Sequence, residues 1–237
     1  MLRISNFTKI YHSNKKAVDN ISLHVDKGDI YGFIGHNGAG KTTAIRAIVG
    51  VMDFNKGEIL IDGNSIRKEP IKCKSIMSYI PDNPDLYEYL TGIQYLNFIA
   101  NVFSIEKSKR NNLIKKYADS FEIFDDLGSL ISSYSHGMKQ KLALISAFIR
   151  EPKLLVLDEP FVGLDPKAAH ILKIHMHDIC SRGSSIFFST HVLDVAEKLC
   201  NKVAIIKQGK LITSDKIEGI TKNQSLEDVF MELISHE

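Results

Sequence analysis

The segment Gly35-His36-Asn37-Gly38-Ala39-Gly40-Lys41-Thr42 has the spacing G-x-x-x-x-G-K-[ST] of a phosphate-binding loop. Its glycines let the backbone come close to an anion. Successive N–H groups and the start of a following helix then face that anion. Lys41 is placed to reach the outer phosphates, and the Thr42 hydroxyl to ligate Mg²⁺. The nucleotide contacts expected from this stretch are Gly35, Asn37, Gly38, Ala39, Gly40, Lys41, Thr42 and the adjoining Thr43. A bound Mg²⁺ needs a further acidic group. Leu154-Leu155-Val156-Leu157-Asp158-Glu159-Pro160 offers one at the end of an apolar run. Asp158 is expected to hold Mg²⁺ directly or through water. Glu159 is expected to polarise a water for in-line attack on a γ-phosphate. In isolation an Asp-Glu pair reads as a solvated acidic turn. The apolar run before it and the loop upstream select the catalytic reading.

The elements that must position these residues are visible as patterns. Ile30-Tyr31-Gly32-Phe33-Ile34 is apolar enough for a buried strand, and Thr43 to Val49 reads as the start of a helix. That gives the strand–loop–helix context the phosphate motif requires. Ile21–Val25 and Glu58–Ile61 read as strands, Asp26–Asp29 and Asn55–Gly57 as turns, and Asp62-Gly63 as a hairpin signal. Leu154–Leu157 is a run of the kind buried in parallel sheets. Ser185–Ser189 and Lys202–Ile206 read as two more strands with a helix over Val192–Leu199 between them. Between Thr91 and about Ile131 the pattern is mainly helical and carries Tyr95, Phe98, Phe103, Tyr117, Phe121 and Phe124. Most of these aromatics are expected to be core. Gly137 is read as closing a polar turn before a helix over Met138–Ile149. Strand–helix alternation after the loop predicts an α/β sheet flanked by helices.

Composition narrows the function classes. The chain has 237 residues, 44% hydrophobic and 24% charged, which suits one α/β domain with a sizeable core. A net charge of +2 is too small to imply nucleic acid as the main partner. Three widely spaced cysteines, Cys73, Cys180 and Cys200, exclude a disulfide framework or a zinc ribbon and point to a reducing cytosolic setting. Met1 to Asn6 lacks the apolar core of a signal peptide. No stretch approaches 18 uninterrupted apolar residues, so any membrane part is expected on another chain.

With these motifs in this order, the chain resembles the nucleotide-binding subunit of ATP-binding-cassette (ABC) transporters over essentially its whole length. The resemblance implies an α/β P-loop NTPase (RecA-like) core, an N-terminal antiparallel β subdomain and an inserted α-helical subdomain. The expected division is core 1–82 and 153–215, helical subdomain 83–152 and a short helical tail 216–237. The family signature, usually Leu-Ser-Gly-Gly-Gln, corresponds here to Tyr134-Ser135-His136-Gly137-Met138. Ser135 and Gly137, placed just before a helix, are implied to bind the γ-phosphate held by a second cassette, so that two cassettes sandwich two ATP molecules. Tyr11 resembles the aromatic that stacks on adenine. Gly163-Leu164-Asp165 resembles the loop that crosses the dimer interface, and Asp165 before Pro166 also suits a helix cap. Ser189-Thr190-His191 resembles the switch whose His191 contacts the γ-phosphate. His170, His175 and His177 read as solvated or packing residues.

The chain departs from the family pattern in two places. Where Gln is usual, Ser78-Tyr79-Ile80-Pro81-Asp82 puts Asp82, which has two readings: an oxygen ligand near Mg²⁺, or the first residue of a turn with Asn83-Pro84. His136 and Met138 replace Gly and Gln in the signature. These departures, Leu86–Gly92 and the tail Ser225-Leu226-Glu227-Asp228-Val229-Phe230 resemble bacterial ABC-2-type exporters, among them bacitracin-export and Ecs-like ATPases. The implied function is an ATPase subunit that uses ATP and Mg²⁺, pairs with a second cassette as homodimer or pseudo-dimer, and energises a separate membrane permease, with export favoured. No nucleic acid is expected. The implied location is cytoplasmic, on the inner face of the membrane through the permease. Two other readings stay open: a soluble ABC ATPase acting on ribosome or nucleic acid, and an ATP-binding regulatory module without turnover.

Overall fold

Runs without polar residues become strands covered on both faces, and the residues around the phosphate motif illustrate it. The computed structural model describes residues 1–11, 15–222 and 224–235. Of the expected tail 216–237, residues 223, 236 and 237 lie outside the described residues. The chain begins with β1 (Leu2–Ile10), β2 (Lys16–Val25) and β3 (Ile30–Ile34), then α1 (Lys41–Ile48), β4 (Lys56–Ile61), β5 (Asn64–Ser65), α2 (Pro70–Ser75) and β6 (Met77–Ile80). Helices α3 (Gly92–Val102), α4 (Lys107–Ser120) and α5 (His136–Phe148) follow, with short 3-10 turns at Asp125–Gly128 and Ile131–Ser133. The chain returns to strands with β7 (Leu154–Asp158), α6 (Pro166–Ser181), β8 (Ser185–Thr190), α7 (Leu193–Leu199), β9 (Lys202–Lys207) and β10 (Lys210–Lys216), and closes on α8 (Ile217–Thr221) and α9 (Leu226–Ser235).

Two sheets result. One is antiparallel in the order β2-β1-β4-β5, and the other has the order β10-β9-β3-β8-β7-β6. In the larger sheet β9, β3, β8, β7 and β6 are parallel and β10 is antiparallel at the edge. This is the mixed α/β architecture expected from the sequence, with an antiparallel sheet, a parallel core and helices inserted between β6 and β7.

Alternation along the buried strands divides the core in two. Leu155, Leu157, Ile186 and Phe188 face α3, α4, α5 and α6. Leu154, Val156, Phe187, Tyr31 and Phe33 face α1 and the antiparallel sheet. These strands are therefore apolar on both faces over Leu154–Leu157 and Ile186–Phe188, which explains the continuous runs. The helices start on side-chain caps. Thr91 and Gln94 form a reciprocal capping box for α3. Asp165 accepts from Ala168 N at 2.8 Å ahead of Pro166, the helix cap that the sequence offered there.

Three expectations are corrected. Helix α1 starts at Lys41, two residues early, because the phosphate loop runs straight into it. Gly137 lies inside the first turn of α5 and not in a turn before it, because Ser135 caps Met138 N and starts the helix at His136. Of the six helical-region aromatics, Tyr95, Tyr117 and Phe121 are buried, whereas Phe98, Phe103 and Phe124 are exposed.

The layering predicts a sharp contrast. Leu157→Ala empties a fully buried site between β7 and the helices and is expected to cost about 2–5 kcal/mol in urea unfolding. Ile71→Ala, on a side chain 83% exposed, is expected to stay within about 0.5 kcal/mol.

Candidate functional site

Parallel pairing brings the chemistry to one edge. Ile34 at the end of β3 pairs with Thr190 of β8, and Asp158 at the end of β7 pairs with Ser189 of β8. The loop after β3 and the acids after β7 thus meet across the carboxyl ends of the strands, where open α/β sheets bind ligands. Asp82 arrives from the neighbouring β6. Together they line a cleft of about 870 Å³ with Tyr11, Asn37, Gly38, Gly40, Lys41, Thr42, Thr43 and Glu159 among its walls.

The loop can only be built with glycine at two of its positions. Gly40 precedes α1 at φ 110°, and a Cβ there would lie 2.5 Å from the Ala17 carbonyl oxygen. A Cβ on Gly35 would lie 2.5 Å from the Ile206 carbonyl oxygen. Lys41 is buried beneath the loop. Its ammonium donates to the Gly35 carbonyl at 2.5 Å and to the His36 carbonyl at 3.4 Å.

The acids form a linked set. Glu159 Oε1 lies 3.3 Å from Lys41 Nζ, and Glu159 Oε2 lies 3.0 Å from His191 Nδ1. Glu159 itself sits at φ 47°, a left-handed conformation unusual for a residue with a side chain. Ser189 holds the turn: its hydroxyl donates to Asp158 Oδ1 and accepts from Glu159 N at 3.1 Å. Asp158 is buried, and burial raises its carboxyl above the ordinary range against the lowering hydrogen bonds of Ser189 and Thr42. Its Oδ2 is buried with no hydrogen-bond partner. Nearby, burial and the Asp158 charge push the Tyr79 phenol up to about 12.

An orphaned carboxylate oxygen beside a threonine hydroxyl fits a hard cation. Among the described residues no cluster of three or more His, Cys, Asp or Glu could hold a metal unaided. One carboxylate plus a hydroxyl suits Mg²⁺, which takes its remaining ligands from phosphates and water. Asp82 faces the cleft, and its Oδ1 accepts from Asn83 N at 3.0 Å at the start of the turn.

Tyr11 stands at the cleft mouth, 44% exposed, with its hydroxyl 3.5 Å from Thr43 Oγ1. By contrast, Ser135, Gly137 and Asp165 do not line the cleft. They form a separate body: Gly137 approaches the Gly163 carbonyl, His136 packs over Gly163, and Lys141 Nζ lies 3.1 Å from Asp165 Oδ2. Gln140, fully buried, ties this body to the acidic strand end through the Pro160 carbonyl. His175 packs among Tyr117, Phe121 and Phe148, the second of the two roles, solvated or packing, that the sequence left open.

Sequence reasoning missed the far wall. The β9–β10 turn presents Gln208 to the cleft, and Gly209 N donates to the Ala39 carbonyl at 2.9 Å. The Gln-Gly dipeptide signalled a turn but not its neighbour.

The family model described as ABC transporter matches residues 18–162, from β2 past the acidic strand end. The chain belongs to the ABC transporter family. It is similar to the ABC-type transporter ATP-binding protein EcsA of Bacillus subtilis, 34% identical over 238 residues, covering 98% of this chain and 96% of EcsA. It is also 34% identical over 223 residues to the bacitracin transport ATP-binding protein BcrA of Bacillus licheniformis, covering 94% of this chain and 72% of BcrA. A solved ATP-binding subunit of an ABC transporter superposes with TM-score 0.95 at 31% identity, covering 99% of both chains. The protein is thus an ABC transporter ATP-binding subunit, in a family of ATPases. Among its described residues, no helix is long and apolar enough to cross a membrane.

Asp158 gives this ABC subunit a pH signature. A carboxyl whose folded pKa is raised binds more protons folded than unfolded, so stability is highest below its ordinary pKa and falls as pH rises through the folded value. In nucleotide-free protein without divalent metal, Asp158→Asn is therefore expected to raise Tm at pH 7. The gain should shrink toward about pH 4, where the unfolded carboxyl is also protonated. Thermal melts across that range measure it.

Proposed function

We propose that this subunit hydrolyses ATP with Mg²⁺ at a site completed by a second cassette, and that the cycle drives transport through a separate membrane permease, with export favoured. The observation that carries the reading is the division of the family's phosphate-contacting residues between two bodies. Lys41, Thr42 and Glu159 line one cleft, with Asp158 hydrogen-bonded to Thr42 and His191 paired with Glu159, whereas Ser135 and Gly137 stand at the start of α5 and do not line it. Ser135 in one chain has a phosphate to meet only if another chain brings one.

In this reading Tyr11 packs against adenine, the N–H groups of Gly38, Ala39 and Gly40 surround the phosphates, and Lys41 binds the outer ones. Thr42 and Asp158 would hold Mg²⁺, with Asp82 as a further oxygen; bound there, it would neutralise charge on the transferred phosphoryl group. Glu159 orients the attacking water and accepts its proton. Without nucleotide that carboxylate is engaged by Lys41 and His191. Phosphates that attract Lys41 leave Glu159 freer to act as a base, and His191 remains to hold its other oxygen. Asp165, already a helix cap, would meet the partner cassette.

The helices between residues 83 and 152 would form the permease-facing part. A groove of about 240 Å³ runs between the β6 end and α3 and α5, lined by Tyr95, Ile99, Phe103 and Arg150. The Arg150 guanidinium stacks 3.4 Å from the centre of the Phe103 ring. Among the described residues no carboxylate lies within ion-pair distance of Arg150, and burial alone lowers it to about 10. A permease helix with apolar residues and one acidic side chain fits such a groove. Exposed Tyr87, Tyr89 and Phe98 extend the same surface.

Glu159→Gln is expected to bind ATP, to accumulate as dimer on size exclusion with Mg²⁺-ATP, and to lose about 10²–10⁴-fold in kcat. Normal phosphate release by that variant would remove Glu159 from the reaction. Arg150→Glu is expected to leave ATP hydrolysis by the isolated subunit within about twofold while reducing its recovery with the membrane fraction of cells; unchanged recovery would remove the groove from docking.

A further inference from the structure

The tail helix α9 reaches back to the phosphate loop. The Phe230 ring meets the His36 imidazole edge to face, with centroids 5.0 Å apart and planes at 61°. Phe230 and Leu226 are both buried, although α9 lies near the end of the described chain. Its start is fixed on α7, where Glu197 Oε2 accepts from Leu226 N at 2.8 Å. Helix α7 directly follows His191.

His36 is a junction in the loop. Its carbonyl accepts from Lys41 Nζ at 3.4 Å and from Ala39 N at 3.1 Å. The opposite flank is held by the β9–β10 turn, through Gly209 N on the Ala39 carbonyl. A loop whose N–H groups must converge on phosphate gains affinity when that arrangement exists before binding. From the contact at His36, the anchoring on α7 and the burial of the ring, we infer that Phe230 is a positioning residue for ATP. It holds the His36 side of the phosphate loop in its nucleotide-receiving form and ties that form to the helix behind the switch histidine. This rests on the reading of Gly35–Thr42 as the ATP site.

An aromatic pair contributes about 0.5–1.5 kcal/mol beyond area burial, equivalent to about a twofold to tenfold change in affinity. Calorimetric titration of the purified full-length subunit with Mg²⁺-ATP reads it. Wild type binds ATP if the site reading holds; absence of binding by wild type would defeat that reading itself. Phe230→Ala and Phe230→Leu are expected to weaken ATP binding by about twofold to tenfold and to raise KM in step, with kcat at saturating ATP within about twofold. Phe230→Leu keeps apolar bulk and serves if the alanine variant does not fold. Phe230→Tyr, which keeps the ring, is expected to restore wild-type affinity. Combined with His36→Ala, Phe230→Ala is expected to add little to the loss in Kd, as for a coupled pair. A lowered Tm with wild-type Kd and KM in both Phe230→Ala and Phe230→Leu would make the contact packing only and overturn the inference. So would Kd losses that simply add.

Discussion

A buried ammonium needs negative or carbonyl partners, and Lys41 finds them in the Gly35 carbonyl and the Glu159 carboxylate. Removing one member of a buried pair leaves the other charged and unsolvated, at a cost of about 3–5 kcal/mol. That requirement shapes the loop, which must curl over the lysine, and the acidic turn, which must reach toward it. Gly35 and Gly40 permit the first because any Cβ would strike a neighbouring carbonyl. The left-handed backbone of Glu159, held by Ser189, permits the second. Strain of this kind persists only where the surroundings fix it.

The surroundings here are the parallel strands. Pairing of β3 with β8 and of β8 with β7 places Ile34 beside Thr190 and Asp158 beside Ser189, so the site inherits its geometry from hydrogen-bonded registers. His191 after β8 and Asp82 after β6 hang from the same strand ends. The signature body is different. It rests on α5 and connects to the acidic turn through Gln140 and the Pro160 carbonyl. A change at the acidic turn therefore has a physical route to Ser135, and from there to whatever Ser135 meets.

How much of this was legible depended on range along the chain. Lys41 and Thr42 were readable because the phosphate loop is one short segment, and Asp158 because an apolar strand announces its own end. The cap role of Asp165 followed from its residue type ahead of Pro166. Gly137 was misplaced because a glycine after a serine reads equally as a turn or as the first turn of a helix; only the Ser135–Met138 hydrogen bond distinguishes them. The aromatics between Thr91 and Ile131 were misjudged for a related reason. Helical spacing shows which residues share a face but not what covers it: Tyr117 and Phe121 pack on Phe148 and His175, whereas Phe98 stays exposed beside Tyr87 and Phe103 lies in the groove by Arg150. The support of Ala39 by Gly209 and of His36 by Phe230 spans more than 160 residues, and no local pattern records it.

At the centre stands a buried Asp158 with one oxygen unpartnered beside Thr42, matched to a phosphate-bound Mg²⁺. Calorimetric ATP titration of wild type and Asp158→Ala, each with Mg²⁺ and with EDTA, addresses it most directly. Wild type should bind ATP at least about tenfold more tightly with Mg²⁺, a gain of about 1.4 kcal/mol, and Asp158→Ala should lose most of that difference. Equal ATP affinity with and without Mg²⁺ in wild type, or an undiminished Mg²⁺ effect in Asp158→Ala, would contradict a metal site at the end of β7.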